Sequence, residues 1–186
     1  MNYPIVLASG SPRRKELLEQ IGLEFTIHPS PYEEDMSMDL SPAELAQTLG
    51  FEKGKAVQAL YPDDHIIISA DTVVAHGDQV FGKPKSEQEA FDMLTTLSGS
   101  THQVITGFSI LHTASGTEIS EADVNDIHFY DMSEEEIWEY IQTGDPMDKA
   151  GAYGVQGFAA RFVKGLEGDY NSIVGIPAGK VFQYLK

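Results

Sequence analysis

The chain has 186 residues, no cysteine and a formal net charge of -17. This length is most simply one domain, and the lack of cysteine excludes disulfides and thiolate chemistry. The acidity argues against duplex DNA or an anionic membrane as the main partner, but a small anionic substrate needs only a local basic pocket. The apolar run at residues 5–8 is too short for a signal peptide or a membrane span, so we expect a cytoplasmic protein.

Apolar runs and helical patterns predict an α/β protein with a mixed sheet and packed helices. Strands are predicted, in chain order, at residues 4–8, 24–28, 65–75, 103–112, 118–130, 160–164 and 172–174. Helices are predicted at residues 12–21, 42–60, 87–97 and 134–143, although Gly50 and Gly54 are unfavourable inside the second. Gly77-Asp78 predicts a hairpin turn.

The first helix differs from the others in the charge at its start. The other three begin with a capping box, a serine followed three residues later by glutamate, at Ser41/Glu44, Ser86/Glu89 and Ser133/Glu136. The first begins instead with the sequence SPRRK, which puts Arg13, Arg14 and Lys15 at the positive end of the helix dipole. At low salt this placement costs about 1–3 kcal/mol in total.

A bound anion would explain these cations. The free N–H groups of a helix N-terminus attract phosphate, and the small residues 9–11 allow close approach and supply hydroxyls. The two arginines can grip phosphate oxygens bidentately. The alternative is a solvated basic turn whose charges pair with Glu16 and Glu19 at helical spacing.

Carboxylates supply the next candidate chemistry. Asp71 lies inside an apolar run, and a buried carboxylate must be paired, protonated or bound to a metal. Its alternative role is to cap a turn at the strand end. Glu33, Glu34 and Asp35 form an acidic run in a predicted loop, where the alternative is a solvated surface.

Two more segments attract attention. Lys83 stands before Pro84 in a predicted loop, and glycines recur every third residue around Gln156 in the sequence GAYGVQG. This glycine spacing predicts a loop whose backbone comes close to another group, or a purely structural turn. The six histidines are scattered without an HExxH motif, which argues against a zinc site.

Taken together, these segments resemble the Maf family of nucleoside triphosphate pyrophosphatases. The motifs that carry the resemblance are LASGSPRRKELL, SADTVV, GKPKSEQEAFDMLTTLSGSTHQVITG and EIWEYIQTGDPMDKAGAYGVQGFAARFVKGLEGDYNSIVGIP. The resemblance implies one domain over residues 1–186, with an elongated mixed sheet flanked by helices, as in inosine triphosphate pyrophosphatases. It also implies a homodimer and a cleft that holds a nucleotide.

The resemblance assigns roles to individual residues. Asp71 matches the proton acceptor of the family, and Asp71 with Glu34 is expected to hold Mg²⁺ or Mn²⁺. The expected substrate-binding residues are Ser9, Ser11, Arg13, Arg14, Lys53, Thr72, Lys83 and Gln156. Among these, Arg13, Thr72 and Gln156 match positions that the family uses for substrate choice.

The expected reaction is cleavage of a nucleoside triphosphate to the monophosphate and pyrophosphate. The sequences ADT and GAYGVQG resemble the branch of the family that acts on dTTP and UTP. Two alternatives stay open: a non-catalytic nucleotide-binding regulator of septum formation, and a phosphatase that releases one phosphate at a time. Neither nucleic acid nor a membrane is an expected partner.

Overall fold

The computed structural model of the protein describes residues 3–186. Within them the helices are α1 (Pro12–Gln20), α2 (Pro42–Gln58), α3 (Glu87–Leu97), α4 (Glu134–Gln142), α5 (Tyr170–Val174) and α6 (Ala178–Tyr184). The strands are β1 (Ile5–Leu7), β2 (Thr26–Ile27), β3 (Ile66–His76), β4 (Gln79–Phe81), β5 (Thr101–His112), β6 (Glu118–Phe129) and β7 (Val163–Glu167). None of these helices is long and apolar enough to cross a membrane.

The strands follow the order β2-β1-β3-β5-β6-β7, and β4 pairs with β3. The sheet is mixed, because β1 pairs in parallel with β2 and β3, whereas the β3–β4 and β6–β7 pairs are antiparallel. The predicted mixed α/β fold class is confirmed.

The chain divides into two compact units. The first contains the described residues up to Thr72, together with Thr106–Asp123 and Asp169–Lys186. The second contains Val73–Ile105 and Val124–Gly168, so β3, β5 and β6 each contribute residues to both units. The single domain expected from the sequence stays a prediction.

The sheet of the first unit is covered on both faces. Leu7 of β1 belongs to a buried cluster with Leu18 of α1 and Val181 of α6. Its neighbour Val6 points to the other face and belongs to a cluster with Val57 of α2. Because both faces are buried, these strands appear in the sequence as continuous apolar runs rather than alternating ones.

The two glycines inside α2 bring this helix close to the sheet. A Cβ added at Gly50 would lie 2.5 Å from the carbonyl oxygen of Gly107 on β5. A Cβ added at Gly54 would lie 2.6 Å from the Oγ of Ser69 on β3. The helix predicted over this segment is therefore confirmed, and the glycines serve close packing rather than flexibility.

The glycine-rich segment of the second unit is more ordered than the predicted loop. It forms three 3-10 turns, at Asp145–Asp148, Ala150–Ala152 and Gly157–Phe162. Gly151 has a φ of 66°, and a Cβ there would lie 2.9 Å from the Cβ of Val74, so the backbone does come close to a neighbour. The hydroxyl of the buried Tyr153 forms a 2.6 Å hydrogen bond with Nε2 of His102.

Three local predictions are wrong. Residues 172–174 belong to helix α5 rather than a strand, because the Asp169 carboxylate caps the N–H groups of Asn171 and Ser172. Most of residues 160–164 belong to a 3-10 turn, and β7 begins only at Val163. In α3 the Glu89 carboxylate accepts the N–H of Lys85, whereas the capping box requires the N–H of Ser86. The sequence patterns also missed α6.

We expect Gly107→Ala to destabilise the first unit by about 3 kcal/mol or more. The added Cβ would lie 1.9 Å from the carbonyl oxygen of Ala46, which is helix backbone and cannot rotate away. Urea unfolding measures the loss. The matched control is Gly179→Ala in α6, where no described atom outside the adjoining backbone of the same helix lies within 4 Å of the added Cβ. A Gly107→Ala protein as stable as this control would contradict the close packing.

Candidate active site

The loop after β1 and the start of α1 carry the predicted anion site. Ser11 is the N-cap of α1, and its Oγ lies 3.5 Å from the backbone nitrogen of Arg14. Gly22 adopts a φ of 76° just after the helix and donates its N–H to the carbonyl of Glu19. These features confirm the predicted helix start and end. Helix α1, described over its whole length, has no acidic residue in its first turn.

The guanidinium of Arg14 is fixed by three hydrogen bonds within the first unit. Nε donates to the carbonyl oxygen of Gly175 at 2.8 Å. One terminal nitrogen, Nη1, donates to the Oγ of Ser9 at 3.2 Å, and the other, Nη2, donates to the Oγ1 of Thr72 at 3.2 Å. A guanidinium has five N–H groups, so one on each terminal nitrogen is left for a further acceptor.

The surroundings of Arg14 leave its charge incompletely compensated. Burial lowers the pKa of Arg14, attraction to Asp71 and Glu34 opposes this effect, and repulsion from Arg13 adds to it. A lowered pKa means that the charged form has lost more solvation than the nearby carboxylates restore. An anion that accepts the two remaining N–H groups would stabilise this charge.

The serine hydroxyls beside Arg14 are arranged as donors. The Oγ of Ser9 accepts the N–H of Ser11 and an N–H of Arg14, both at 3.2 Å. These contacts occupy both of its lone pairs, so its own hydrogen remains for an acceptor. The Oγ of Ser11 likewise accepts from the backbone of Arg14. The loop therefore presents hydroxyl hydrogens and guanidinium N–H groups, which is the donor set that phosphate oxygens need.

The neighbouring cations differ from Arg14. Lys15 pairs with Glu19 at 3.6 Å, and both side chains are about half exposed, so the solvated alternative holds for this lysine. Arg13 is half-buried, and its charge acts on Arg14 only by repulsion. The structure thus separates three cations that the sequence presents as one group.

Asp71 is buried and paired. Only 6% of the residue is exposed, and its Oδ1 accepts a hydrogen bond from the Nζ of Lys53 on α2. The same Nζ donates to the Oε1 of Glu34 at 2.6 Å. The buried carboxylate of Asp71 is therefore paired with a cation, and the single ammonium of Lys53 contacts the carboxylates of both Asp71 and Glu34.

The loop that carries Glu34 is attached to α2. The Oγ of Ser30 donates to the carbonyl of Lys53 at 2.9 Å and accepts the N–H of Tyr32 at 3.2 Å. This attachment holds the exposed carboxylate of Glu34 beside the same lysine that binds Asp71. Glu34 therefore lies beside the Asp71–Lys53 pair, whereas the carboxylate of Asp35 accepts the N–H of Ser37, and the site role of Glu34 stays a prediction.

The donor set around Lys53 fits a hard divalent cation. Two carboxylate oxygens converge on one nitrogen, and Mg²⁺ or Mn²⁺ is commonly held by one or two carboxylates with substrate phosphates completing its shell. Residues 3–186 contain no group of three or more acidic or histidine side chains placed to hold a metal. A metal at Asp71 and Glu34 would thus need oxygens from substrate and water.

The remaining predicted site residues are divided between the units. Thr72 lies in the first unit, next to Asp71, and contacts Arg14. Lys83 and Gln156 are exposed side chains of the second unit. The roles assigned to these three residues stay predictions.

Comparison with known proteins decides the family. The sequence profile of the Maf-like proteins matches residues 4–186. The chain belongs to the Maf-like protein family. This match confirms the resemblance found in the sequence motifs.

Two curated relatives of this Maf-like chain share one name. A dTTP/UTP pyrophosphatase of Geobacillus sp. (strain WCH70) is 47% identical over 182 residues, which cover 98% of this chain and 96% of that protein. A dTTP/UTP pyrophosphatase of Alkaliphilus oremlandii (strain OhILAs) is 45% identical over 177 residues, which cover 95% of this chain and 92% of that protein. A nucleoside-triphosphatase/dITP/XTP pyrophosphatase from Mycobacterium abscessus shares 10% identity at a TM-score of 0.41, covering 68% of this chain and 74% of that one, which is too distant to support an argument.

Sequence reasoning missed two groups that hold the site of the Maf-like chain together. The carbonyl of Gly175, beyond α5, accepts from Arg14. Thr106 of β5 is fully buried and hydrogen-bonds to Thr72 at 2.8 Å. A carbonyl leaves no trace in a sequence, but a threonine within the apolar run of β5 was a visible sign of a buried polar contact.

We expect Arg14→Ala and Arg13→Ala to differ in their effect on the protein without ligand. Arg14→Ala should lower the free energy of unfolding by about 2 kcal/mol, because the Gly175 carbonyl loses a charged donor. Arg13→Ala should leave this free energy unchanged or raise it slightly, because it removes a cation from the positive end of α1. Thermal unfolding without nucleotide measures both. Equal losses in the two variants would contradict the distinction drawn between the arginines.

Proposed function

We propose that the protein hydrolyses dTTP and UTP to the nucleoside monophosphate and pyrophosphate. The observation that carries the proposal is that the buried carboxylate of Asp71 directly precedes Thr72 in the chain. Thr72 contacts the guanidinium of Arg14, and Asp71 pairs with Lys53. A proton acceptor and the contact of a phosphate-binding cation thus lie at neighbouring residues of β3, near enough for Asp71 to attract the charge of Arg14. The names of relatives up to 47% identical over nearly the whole chain support the same reaction.

In the proposed reaction a water molecule attacks the α-phosphorus. The new bond joins the water oxygen to phosphorus, and the bond between phosphorus and the oxygen that bridges to the β-phosphate breaks. Asp71 accepts the proton of the attacking water, and pyrophosphate leaves with the bridging oxygen. Before the proton is transferred, the ammonium of Lys53 balances the negative charge of the buried Asp71 carboxylate.

The phosphate chain needs cations and hydrogen-bond donors. Arg14 offers two N–H groups, and Ser9 and Ser11 offer hydroxyl hydrogens from the same loop. Arg13 and Lys83 would add positive charge. These groups would stabilise the negative charge that develops on the leaving pyrophosphate. Concentrating cations in this way allows a chain of net charge -17 to bind a polyanion.

Asp71 and Glu34 would hold a divalent cation, Mg²⁺ or Mn²⁺. Such an ion, when bound, supplies charge neutralisation for the phosphates and polarises their oxygens. The chain's own residues would still bind the phosphates and accept the proton. Lys53, which contacts both carboxylates, holds them together when no such ion is present.

Base choice would rest on Gln156 and Thr72, with Arg13 assisting. A glutamine side chain offers one acceptor and two donors, which matches the O4/N3–H edge of uracil or thymine. Cytosine presents the inverted pattern and would be rejected. We place this activity in the cytoplasm, where its substrates are, and the homodimer stays a prediction.

We expect Asp71→Asn to lower turnover by roughly 10²–10⁴, because the isosteric amide cannot accept the proton. Chromatography of the products of a dTTP incubation measures the loss and identifies the bond cleaved. The matched control is Asp123→Asn, which alters another buried aspartate paired with a lysine, Lys180, in the same unit. This control should lose stability and keep its rate per folded molecule.

The same chromatogram separates the alternatives. Monophosphate with pyrophosphate supports the proposal. Diphosphate with inorganic phosphate would indicate a phosphatase, and no product would indicate a binding protein without turnover. Near-normal turnover in Asp71→Asn would remove this residue as the proton acceptor.

Base choice is expected to favour dTTP and UTP over purine triphosphates and CTP by at least about tenfold, or 1.4 kcal/mol. Gln156→Glu should reduce this preference, because a charged acceptor replaces the amide donor. Initial rates over a panel of triphosphates measure it, with Gln142→Glu, an exposed glutamine of the same unit, as the control. A preference for purines would refute the proposed substrate class. An unchanged preference in Gln156→Glu would remove only this glutamine from base choice.

A further inference from the structure

We propose that Thr106 is a positioning residue for the hydrolysis, which orients the phosphate-binding guanidinium of Arg14 through Thr72. The inference rests on the proposed function and adds a residue that touches no substrate. It starts from an unbroken row of hydrogen bonds in the first unit. Nη2 of Arg14 lies 3.2 Å from Oγ1 of Thr72, and this Oγ1 lies 2.8 Å from Oγ1 of Thr106. Oγ1 of Thr106 in turn lies 2.8 Å from the carbonyl oxygen of Ser172.

The direction of every bond in this row is determined by its two ends. The Ser172 carbonyl can only accept, so Thr106 must give it its one hydroxyl hydrogen. Thr106 can then only accept from Thr72, so Thr72 gives its hydrogen to Thr106. Arg14 can only donate, and its N–H enters the lone pair of Thr72 that faces it. Aligned bonds of this kind strengthen one another in a buried setting.

The direction of the row defines what Thr72 can do. Its only hydrogen is used on Thr106, so Thr72 cannot donate to a phosphate or a base. Its second lone pair could still accept an N–H of a base, whereas toward a phosphate the side chain acts only through Arg14. Thr106 completes this arrangement, because its oxygen accepts the Thr72 hydrogen that must point away from the guanidinium and so fixes the rotation of the Thr72 hydroxyl.

Two carbonyls at the end of one helix, those of Ser172 and Gly175, hold Arg14 from two sides, and we call this pair the clamp on Arg14. Ser172 lies in α5, and Gly175 follows α5 directly. The Gly175 carbonyl accepts from Nε, and the Ser172 carbonyl accepts from Thr106 at the far end of the row. The carbonyls at a helix end lack partners within the helix, so they are available for this use. The guanidinium is thereby fixed on two sides, with one N–H on each terminal nitrogen still unused.

The test replaces the Thr106 hydroxyl and keeps the shape of the side chain. Thr106→Val should reduce the affinity for inorganic pyrophosphate and the kcat/KM for dTTP, each by roughly tenfold, the effect of one lost hydrogen bond. Titration calorimetry and steady-state rates measure these at a temperature where each variant is folded. Thr106→Ser restores the hydroxyl and should return both values to within about threefold. A loss that serine does not restore would overturn the proposal.

A double-mutant cycle tests whether Thr106 acts through Arg14. Arg14→Lys removes the planar guanidinium, so adding Thr106→Val to it should cost less than about twofold in pyrophosphate affinity. A further tenfold loss in the double variant would show that Thr106 acts by another route, and would overturn the proposal. Ser109→Ala is the matched control, because Ser109 is a fully buried hydroxyl of the same strand that bonds to Ser69 instead. It should lower stability without changing pyrophosphate affinity.

The two readouts separate this inference from the proposed function. A wild-type protein that binds pyrophosphate but hydrolyses no triphosphate would refute the function, while the calorimetric comparison of Thr106→Val and Thr106→Ser would still support or refute the positioning role. A wild-type protein that does not bind pyrophosphate would refute the positioning role, since Arg14 would then hold no phosphate.

Discussion

The carboxylate of Asp71 inside an apolar strand is the constraint on which this site depends. Burying an ionised group without a partner costs far more than a fold of this size can supply, so a cation must reach it. Lys53 does so from α2. The helix comes close enough because Gly50 and Gly54 let it approach β5 and β3. The close packing of helix on sheet and the ion pair are therefore parts of one solution.

The alternation of side chains along β3 separates two sets of charges. Residues of odd number, such as Ser69 and Asp71, face α2, and residues of even number, such as Ile68 and Thr72, face α1. Asp71 therefore pairs with Lys53 while its neighbour contacts Arg14. This arrangement keeps the arginine from forming a closed ion pair with the aspartate, which would leave neither group available to a ligand.

Local sequence rules explain much of this structure but only part of its site. The N-cap Ser11, the capping boxes at Ser41 and Ser133, and the hairpin before β4 depend on neighbouring residues, and all are confirmed. The pairing of Asp71 with Lys53 depends on residues 18 positions apart in different elements. The apolar run around Asp71 indicated that a buried carboxylate there must be paired, protonated or bound to a metal, but it did not indicate which of these or which partner.

The wrong strand prediction at α5 shows why the contacts of Arg14 could not be predicted from the sequence. Three residues, 172–174, are too short a run for periodicity to distinguish a strand from a helix, and the cap at Asp169 decides in favour of the helix. With a strand at that place, no helix end would supply the carbonyls of Ser172 and Gly175. Because residues 172–174 were predicted as a strand, the contacts of Arg14 with this helix end could not be predicted.

The contacts of Arg14 also explain how α1 tolerates a cation at its N-terminus. A cation at the positive end of a helix is unfavourable, yet Arg14 is held there by an uncharged carbonyl and two hydroxyls rather than by a carboxylate in direct contact. Neutral acceptors fix its direction without cancelling its charge. The fold thereby bears the cost of ordering this side chain before any ligand arrives, and an arriving phosphate meets donors that are already oriented.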